Sequence, residues 1–350
     1  MNPIRVPGCG RSPAKIMFVG ESPGKDEEEQ GIPFVGASGR LFNRVLDRVG
    51  IDRSETYVTN VIWERPPNND LDKFLVPKKS LPQHYMYPPV KKGQYLDPRF
   101  LSEIPRLARE IREVNPNIIV AFGNLSCWAL FAKTGIRDLR GFVAACSLVP
   151  GKKVIPTYHP AYVLRVWKEN FTLHQDLCKA KRQAEFPGIR YPSRKIGIEP
   201  NPSDILNYID SIRSAPLLAA DIETEDDIIT CISFAASPDF ALVIPFKDHR
   251  LIHGNYWPSL EEELYVWSLV QEILLLPSIK LFQNGVYDLQ FLHRMGLRVR
   301  NATADSMLLH HTNYQELQKG LGFMGSYLTE ESGWKVVHKR AGEEKEEGEE

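Results

Sequence analysis

Short apolar runs alternate with helix-period stripes through the first half of the chain. Ile16-Met17-Phe18-Val19 has no polar member, the pattern of a strand buried on both faces. From Ser38 to Val49, the residues Leu41, Phe42, Val45, Leu46 and Val49 fall on one helical stripe. Leu101 to Val114 repeats it with Ile104, Leu107, Ala108 and Ile111, and Asn115-Pro116-Asn117 breaks the pattern before the run Ile118–Phe122. Strands alternating with helices predict a mostly parallel sheet covered by helices on both faces, an α/β fold. Between these elements, Pro66 to Pro98 is rich in Pro, Lys, Tyr and Asn and reads as a long surface loop.

The second half repeats the alternation after a break. The stretch 188–203, with Gly188, Pro192, Pro200 and Pro202, reads as a linker between a domain at 1–187 and a second at 204–340. The second domain opens on Leu217-Leu218-Ala219-Ala220-Asp221-Ile222-Glu223. Strands are predicted at Thr230–Ala235, Ala241–Pro245 and Lys280–Gln283, and helices at Glu261–Leu276, Asp288–Met295 and Asp305–His311. Residues 341–350 hold six Glu and only Ala341 as an apolar side chain, so a disordered acidic tail is expected there.

A length of 350 residues suits two domains, and 43% hydrophobic with 25% charged residues is the balance of a globular chain. There is no apolar run of the roughly 18 residues a spanning helix needs, and no apolar N-terminal segment of the secretory type. Five cysteines without paired spacing suit free thiols in a reducing compartment, so a cytoplasmic location is expected, with no membrane partner. Residues 1–187 carry 28 Lys and Arg against 19 Asp and Glu, and residues 188–350 carry 15 against 25. The net charge of −1 thus hides a basic half suited to phosphates and an acidic half.

Candidate chemistry collects at strand ends, where open α/β sheets bind ligands. Gly20-Glu21-Ser22-Pro23-Gly24 follows the first strand, Thr59-Asn60 ends a second and His159-Pro160 follows a third. An acid, an amide and an imidazole can therefore converge. Taken singly, Phe34 also reads as core, Asn60 as a turn cap, Glu21 as a solvated loop acid and His159 as a turn residue. No phosphate-loop Lys of the Gly-Lys-Ser/Thr type is present, which disfavours a nucleotide-binding reading.

In order and spacing, these segments resemble family 4 of the uracil-DNA glycosylase superfamily. The resemblance rests on Gly-Glu-x-Pro-Gly at Gly20–Gly24, the acidic run Asp26–Glu29, Gly31-Ile32-Pro33-Phe34-Val35-Gly36 through Gly39, Val58–Val61, Ile118–Gly123 and Tyr158-His159-Pro160. It covers about residues 14 to 185 and implies a three-layer parallel-sheet glycosylase fold acting on uracil-containing DNA. By that resemblance Phe34 stacks on the flipped base, Asn60 reads the uracil edge and His159 donates toward O2 of the leaving base. Glu21 positions or activates water, and the backbone of the turn, with Gly20, Ser22 and Gly24, binds the base. The loop after His159, Ala161 to Arg165, enters the duplex or holds phosphates. Ser22 stands where related families place a water-activating acid. Family 4 members also carry a four-iron cluster on four cysteines: a Cys-x-x-Cys near the N-terminus, one shortly after the reading Asn, and one near residues 98–105. This chain has Cys9 alone at the first place and Trp63-Glu64-Arg65 at the second, so no iron–sulfur cluster is expected.

The second half resembles DEDD 3′–5′ exonucleases of family A DNA polymerases. Asp221-x-Glu223 matches the first motif and Asn284-Gly285-Val286-Tyr287-Asp288 the second, and the stretches from Ala304 and from Leu317 add to it. The resemblance implies a ribonuclease H-like α/β exonuclease domain in which Asp221, Glu223 and Asp288 hold Mg²⁺ or Mn²⁺ for two-metal hydrolysis. The third motif, expected after Trp334, is missing, which leaves two readings: a dead exonuclease or, the one favoured, an incomplete exonuclease with a polymerase domain beyond residue 350. The joint expectation is a uracil-DNA glycosylase fused to a truncated exonuclease, as in the N-terminal part of some phage polymerases. The alternative is a non-catalytic uracil-sensing or DNA-holding module of a polymerase.

Overall fold

The structure, a computed structural model, describes residues 3–331. The expected acidic tail at 341–350, and the place after Trp334 where a third motif was sought, lie outside the described residues. Two compact units divide the rest: 3–191 together with 322–331, and Pro192–Leu321.

The first unit is built on a six-stranded sheet. Its strands are β1 (Cys9–Gly10), β2 (Ile16–Gly20), β3 (Tyr57–Asn60), β6 (Ile118–Phe122), β7 (Ala144–Ala145) and β8 (Lys153–Thr157), in the order β1-β3-β2-β6-β8-β7. The four central strands pair in parallel and the two short edge strands antiparallel. All residues of β2, β6 and β8 are buried, as an apolar run covered on both faces requires. One face buries Met17, Val19, Ile119 and Ala121 with Ile104, Leu107 and Ile111 of the helix Glu103–Val114. The other buries Ile16, Phe18, Val120 and Phe122 with Phe42, Val45 and Leu46 of the helix Ala37–Val49, and with Leu173 and Leu177 of the helix Asn170–Gln183. This is the three-layer α/β sandwich predicted from the alternation.

Two stretches differ from expectation. Pro66 to Pro98 is not an open loop: β4 (Leu75–Pro77) pairs antiparallel with β5 (Gln94–Leu96), and Phe74, Val90 and Leu96 are buried. The segment after His159 is a helix, Pro160–Arg165, whose N-cap is His159 itself. Proline at the first helical position is pre-set for it and gives up only an N–H that would have had no partner.

The second unit carries β9 (Lys195–Gly197), β10 (Leu217–Glu225), β11 (Ile228–Ala235), β12 (Phe240–Pro245), β13 (Ile279–Phe282) and β14 (Ala304–Asp305), ordered β14-β13-β10-β11-β12-β9. An antiparallel meander, β10 to β12, is followed by two strands parallel to β10, the ribonuclease H-like arrangement. The helices Pro202–Ile212 and Leu260–Leu275 bury Ile205, Ile209, Val266, Val270 and Ile273 against it. The stretch 188–203 is therefore not linker throughout. Its residues Lys195–Gly197 pair parallel with Phe240–Leu242, and Pro202 opens a helix capped by Asn201. The far boundary also differs from 204–340: residues 322–331 lie with the first unit, because Met324, Tyr327 and the backbone around Ser326 are buried there.

Candidate active site

The parallel strands β2, β3, β6 and β8 end at one edge of the sheet, and a cavity of about 540 Å³ opens there. Glu21, Ser22, Gly24, Phe34, Asn60 and His159 all line it, as do Arg137 and Arg165. Gly20 does not reach the cavity; it lies beneath it. A Cβ at Gly20 would stand 2.2 Å from Asn60 Oδ1 and 2.7 Å from Phe34 Cζ, so only glycine lets amide and ring close over the strand end.

Asn60 is the last residue of β3 and 1% exposed. Neither its Oδ1 nor its Nδ2 has a hydrogen-bond partner. An unpaired buried amide costs about 1–3 kcal/mol, so a site that keeps one is built to be completed by a ligand offering both a donor and an acceptor. Phe34 is buried among Phe18, Phe42 and Phe122, and its ring centroid lies 5.7 Å from that of His159. Its backbone is left-handed, φ 59°, and a buried carboxylate and a half-buried guanidinium hold it so. Glu27 accepts from Phe34 N at 2.7 Å and from Gly24 N at 2.8 Å. Arg53 donates to Phe34 O at 2.9 Å and to Pro33 O at 2.8 Å. The glycine turn and the aromatic wall are thereby clamped to one carboxylate.

His159 Nδ1 accepts from Ala161 N at 3.1 Å, so Nδ1 carries no proton and the neutral ring presents Nε2–H as a donor. Burial, helped by the Arg165 charge, depresses its pKa to about 4. Glu21 turns toward the amino end of the helix Asn124–Phe131, where Oε1 accepts from Leu125 N at 3.0 Å. Burial pushes the Glu21 carboxyl above its ordinary range, opposed by the Leu125 and Asn124 N–H groups and by the Lys91 and Arg165 charges. Gly123, at φ 88°, makes room for it: a Cβ there would stand 2.7 Å from the carboxylate.

Sequence reasoning missed Glu27, Arg53 and Arg106. Glu27 sits in an acidic run that looks solvated, and only its capping position, three residues after Gly24, signals another role. Arg106 donates to Asn60 O at 2.9 Å, although its helix shows only an ordinary charged stripe.

In the second unit, Asp221 and Glu223 share one exposed face of β10, while Asp288 is buried on the helix Val286–Arg294 and accepts from Ile222 N at 3.1 Å. Burial, then the Asp221 and Asp305 charges, raise the Asp288 pKa to about 6, with the Ile222 N–H opposing. Asp305 is committed elsewhere: its carboxylate accepts from the N–H groups of Asn284, Gly285, Met307 and Leu308. Among the described residues no group of three or more His, Cys, Asp or Glu is gathered to hold a metal ion. Asp221, Glu223 and Asp288 therefore do not form a closed ligand set there. The cysteines do not fit an iron cluster either: Cys9 is exposed, Cys127 and Cys146 are buried, and all five are free.

An imidazole, a buried unpaired amide and an aromatic ring thus meet at the strand ends of a three-layer α/β sheet. Comparison with known proteins gives the family. The profile of the Uracil DNA glycosylase superfamily matches residues 7–184, and the chain belongs to that superfamily. It is 34% identical over 193 residues to the type-4 uracil-DNA glycosylase of Archaeoglobus fulgidus, covering 52% of this chain and 85% of that one. It is 30% identical over 165 residues to a DNA polymerase of Bacillus phage SP01, covering 47% of this chain but 15% of the polymerase. Escherichia coli RNase D aligns in structure at 16% identity and a TM-score of 0.28, over 38% of this chain and 32% of that one.

Proposed function

We propose that the first unit hydrolyses the bond between uracil and deoxyribose in DNA. The observation that carries this reading is the unpaired Asn60 amide, buried in a cavity with Phe34 and His159. A flipped uracil satisfies it: Nδ2 donates to O4 and Oδ1 accepts from N3–H. Phe34 provides a face for the ring. As the C1′–N1 bond breaks, its electron pair passes to the base, and His159 Nε2–H donates to O2, where negative charge develops. Neutral imidazole is held in place before the reaction, so this stabilisation needs no rearrangement. Water adds to C1′, and Glu21 orients it and accepts the proton it loses. Arg137 and Arg165 at the cavity rim suit flanking phosphates.

The phage polymerase match favours a second reading, in which the same pocket recognises uracil without turnover as a module of a longer replication protein. For the second unit we infer descent from a DEDD 3′–5′ exonuclease, with Asp221, Glu223 and Asp288 at the positions that would hold Mg²⁺ or Mn²⁺. Without a closed ligand set we assign it no hydrolytic step. Among the described residues no helix is long and apolar enough to cross a membrane.

The two readings of the pocket part in one assay. A labelled single strand containing uracil is incubated in EDTA, which silences metal-dependent nucleases, and then treated with alkali. Cleavage at uracil alone supports the glycosylase; tight binding without cleavage supports the sensing module. Asn60→Ala should lower release by about 10²-fold or more while binding to abasic DNA persists. Equal loss of both would remove Asn60 from base recognition.

A further inference from the structure

The N-terminal segment, the stretch after Asn60 and the helix Glu103–Val114 meet in one polar network. Arg5, on the N-terminal segment, pairs with Glu103 and lies 3.6 Å from Glu64. Val6 N donates to Trp63 O at 2.9 Å. Arg106 donates through Nε to Glu103 at 2.9 Å and pairs with Glu110. Trp63 carries both guanidinium groups on its ring, Arg106 at 4.4 Å and Arg5 at 5.3 Å from the centroid. Its indole N–H donates to Thr59 Oγ1 at 3.2 Å. Glu110 in turn accepts from Tyr57 OH at 2.9 Å and from Thr59 Oγ1 at 3.2 Å. The N-terminus, the stretch after Asn60 and the helix Glu103–Val114 are thus cross-linked by two arginines, three glutamates and one indole.

The network ends on the base-reading residue. Arg106 Nη2 donates to the carbonyls of both Asn60, at 2.9 Å, and Val61, at 2.5 Å. Those carbonyls lie at the carboxyl end of β3, where Val61 N and Ile62 N still donate to Gly20 O and Glu21 O and Arg106 takes up the carbonyl side. The Asn60 side chain has no hydrogen bond of its own, so its aim depends on this backbone and on packing against Gly20 and Phe34. Arg106 has the geometry for the task. One planar fork reaches two carboxylates and two carbonyls at once, which a lysine ammonium cannot.

We propose that Arg106 is a positioning residue: held by Glu103, Glu110 and Trp63, it fixes the backbone at Asn60 and so aims the amide at the base. It rests on the glycosylase reading above for its catalytic consequence, but its structural claim stands apart. Displacing a reading group by about 1 Å costs on the order of 10²-fold in rate.

The test uses Arg106→Lys and the milder Glu110→Gln in the full chain, assayed for kcat and KM of uracil release. The ¹⁵N-resolved side-chain amide signals of Asn60 are followed alongside. The expected result for Arg106→Lys is a kcat loss on the order of 10²-fold, with KM unchanged and a shifted Asn60 amide pair. Glu110→Gln should move both in the same direction by less, and carries the test if Arg106→Lys does not fold. Lower stability with kcat and the Asn60 amide signals both unmoved would overturn the proposal and leave the network a plain cross-link. If the unaltered chain releases no uracil, the glycosylase reading fails. The amide signals then decide alone: displaced in the variants they uphold the positioning role, unmoved they overturn it.

Discussion

Burial holds the His159 imidazole neutral down to about pH 4, and the Ala161 N–H fixes which nitrogen bears the proton. The unfolded chain would protonate this group near its ordinary pKa of about 6.5. Between that value and about 4 the unfolded state therefore binds more protons, and stability falls as pH drops through this window; above it the group costs nothing. Protonation would also set Nδ1–H against Ala161 N–H and release the start of the helix Pro160–Arg165. The ¹⁵N spectrum of the labelled ring should show the Nε2–H tautomer, uncharged, at pH 5. A His159 that becomes charged near pH 6.5 would show that the pocket does not exclude water from it and would remove the preorganised donor. The residue types of this site were legible in the sequence because an acid, an amide and an imidazole each follow a strand. The clamps were not. Glu27 and Arg106 sit in charge-rich helices, and a buried charge carries no mark in sequence that separates it from a solvated one.

At the scale of elements, the strands β2 and β6 announced themselves because both faces are covered and neither carries a polar side chain. The β4–β5 pair did not. The buried residues in and around it, Phe74, Val90 and Leu96, are isolated among prolines and lysines and follow no period. The three-residue strand Lys195–Gly197 is likewise too short to alternate legibly. Short elements of this kind draw their stability from neighbours rather than from their own sequence. The short helix Lys25–Gln30 is the instance that matters most for the site, since its third residue, Glu27, ties its own amino end to Phe34. Replacing Glu27 by Gln turns one of two acceptors into an NH₂ group and leaves a buried backbone N–H facing a donor. The expected cost is about 1–3 kcal/mol in denaturant unfolding, accompanied by weaker binding of uracil-containing DNA as Phe34 loosens. A Glu27→Gln chain as stable as the parent would mean that the turn and the aromatic wall are held by packing alone.

At the scale of the whole molecule, the order of residues and the order of packing part company at the second unit. The chain leaves the first unit after Tyr191 and supplies it again from Gly322. Nothing in the apolar stretch Leu321–Leu328 tells which sheet it serves; contiguity alone assigns it to the neighbouring strands of the second unit. Its packing assigns it to the glycosylase helix Asn170–Gln183. Lys179, fully buried, donates to Ser326 O at 2.9 Å and Thr329 O at 2.8 Å, and burial lowers its pKa to about 8. Gln183 donates to Glu330 at 2.8 Å, and Arg140, paired with the buried Asp176, lies 4.9 Å from the centre of the Phe323 ring. Asp176 in turn accepts from Thr157 at 2.7 Å, two residues before His159, so the segment backs the strand that delivers the imidazole. A chain ending at residue 320 loses the burial of Met324 and Tyr327, together worth roughly 3 kcal/mol. For a unit of this size that corresponds to a fall of about 6–12 °C in the melting transition. The shift should appear in calorimetry of the shortened chain against the full one. Uracil release assayed well below the transition should be unchanged, because no residue of the segment lines the cavity. An unchanged transition would show that the first unit is already complete at Tyr191 and that residues 322–331 only rest on it.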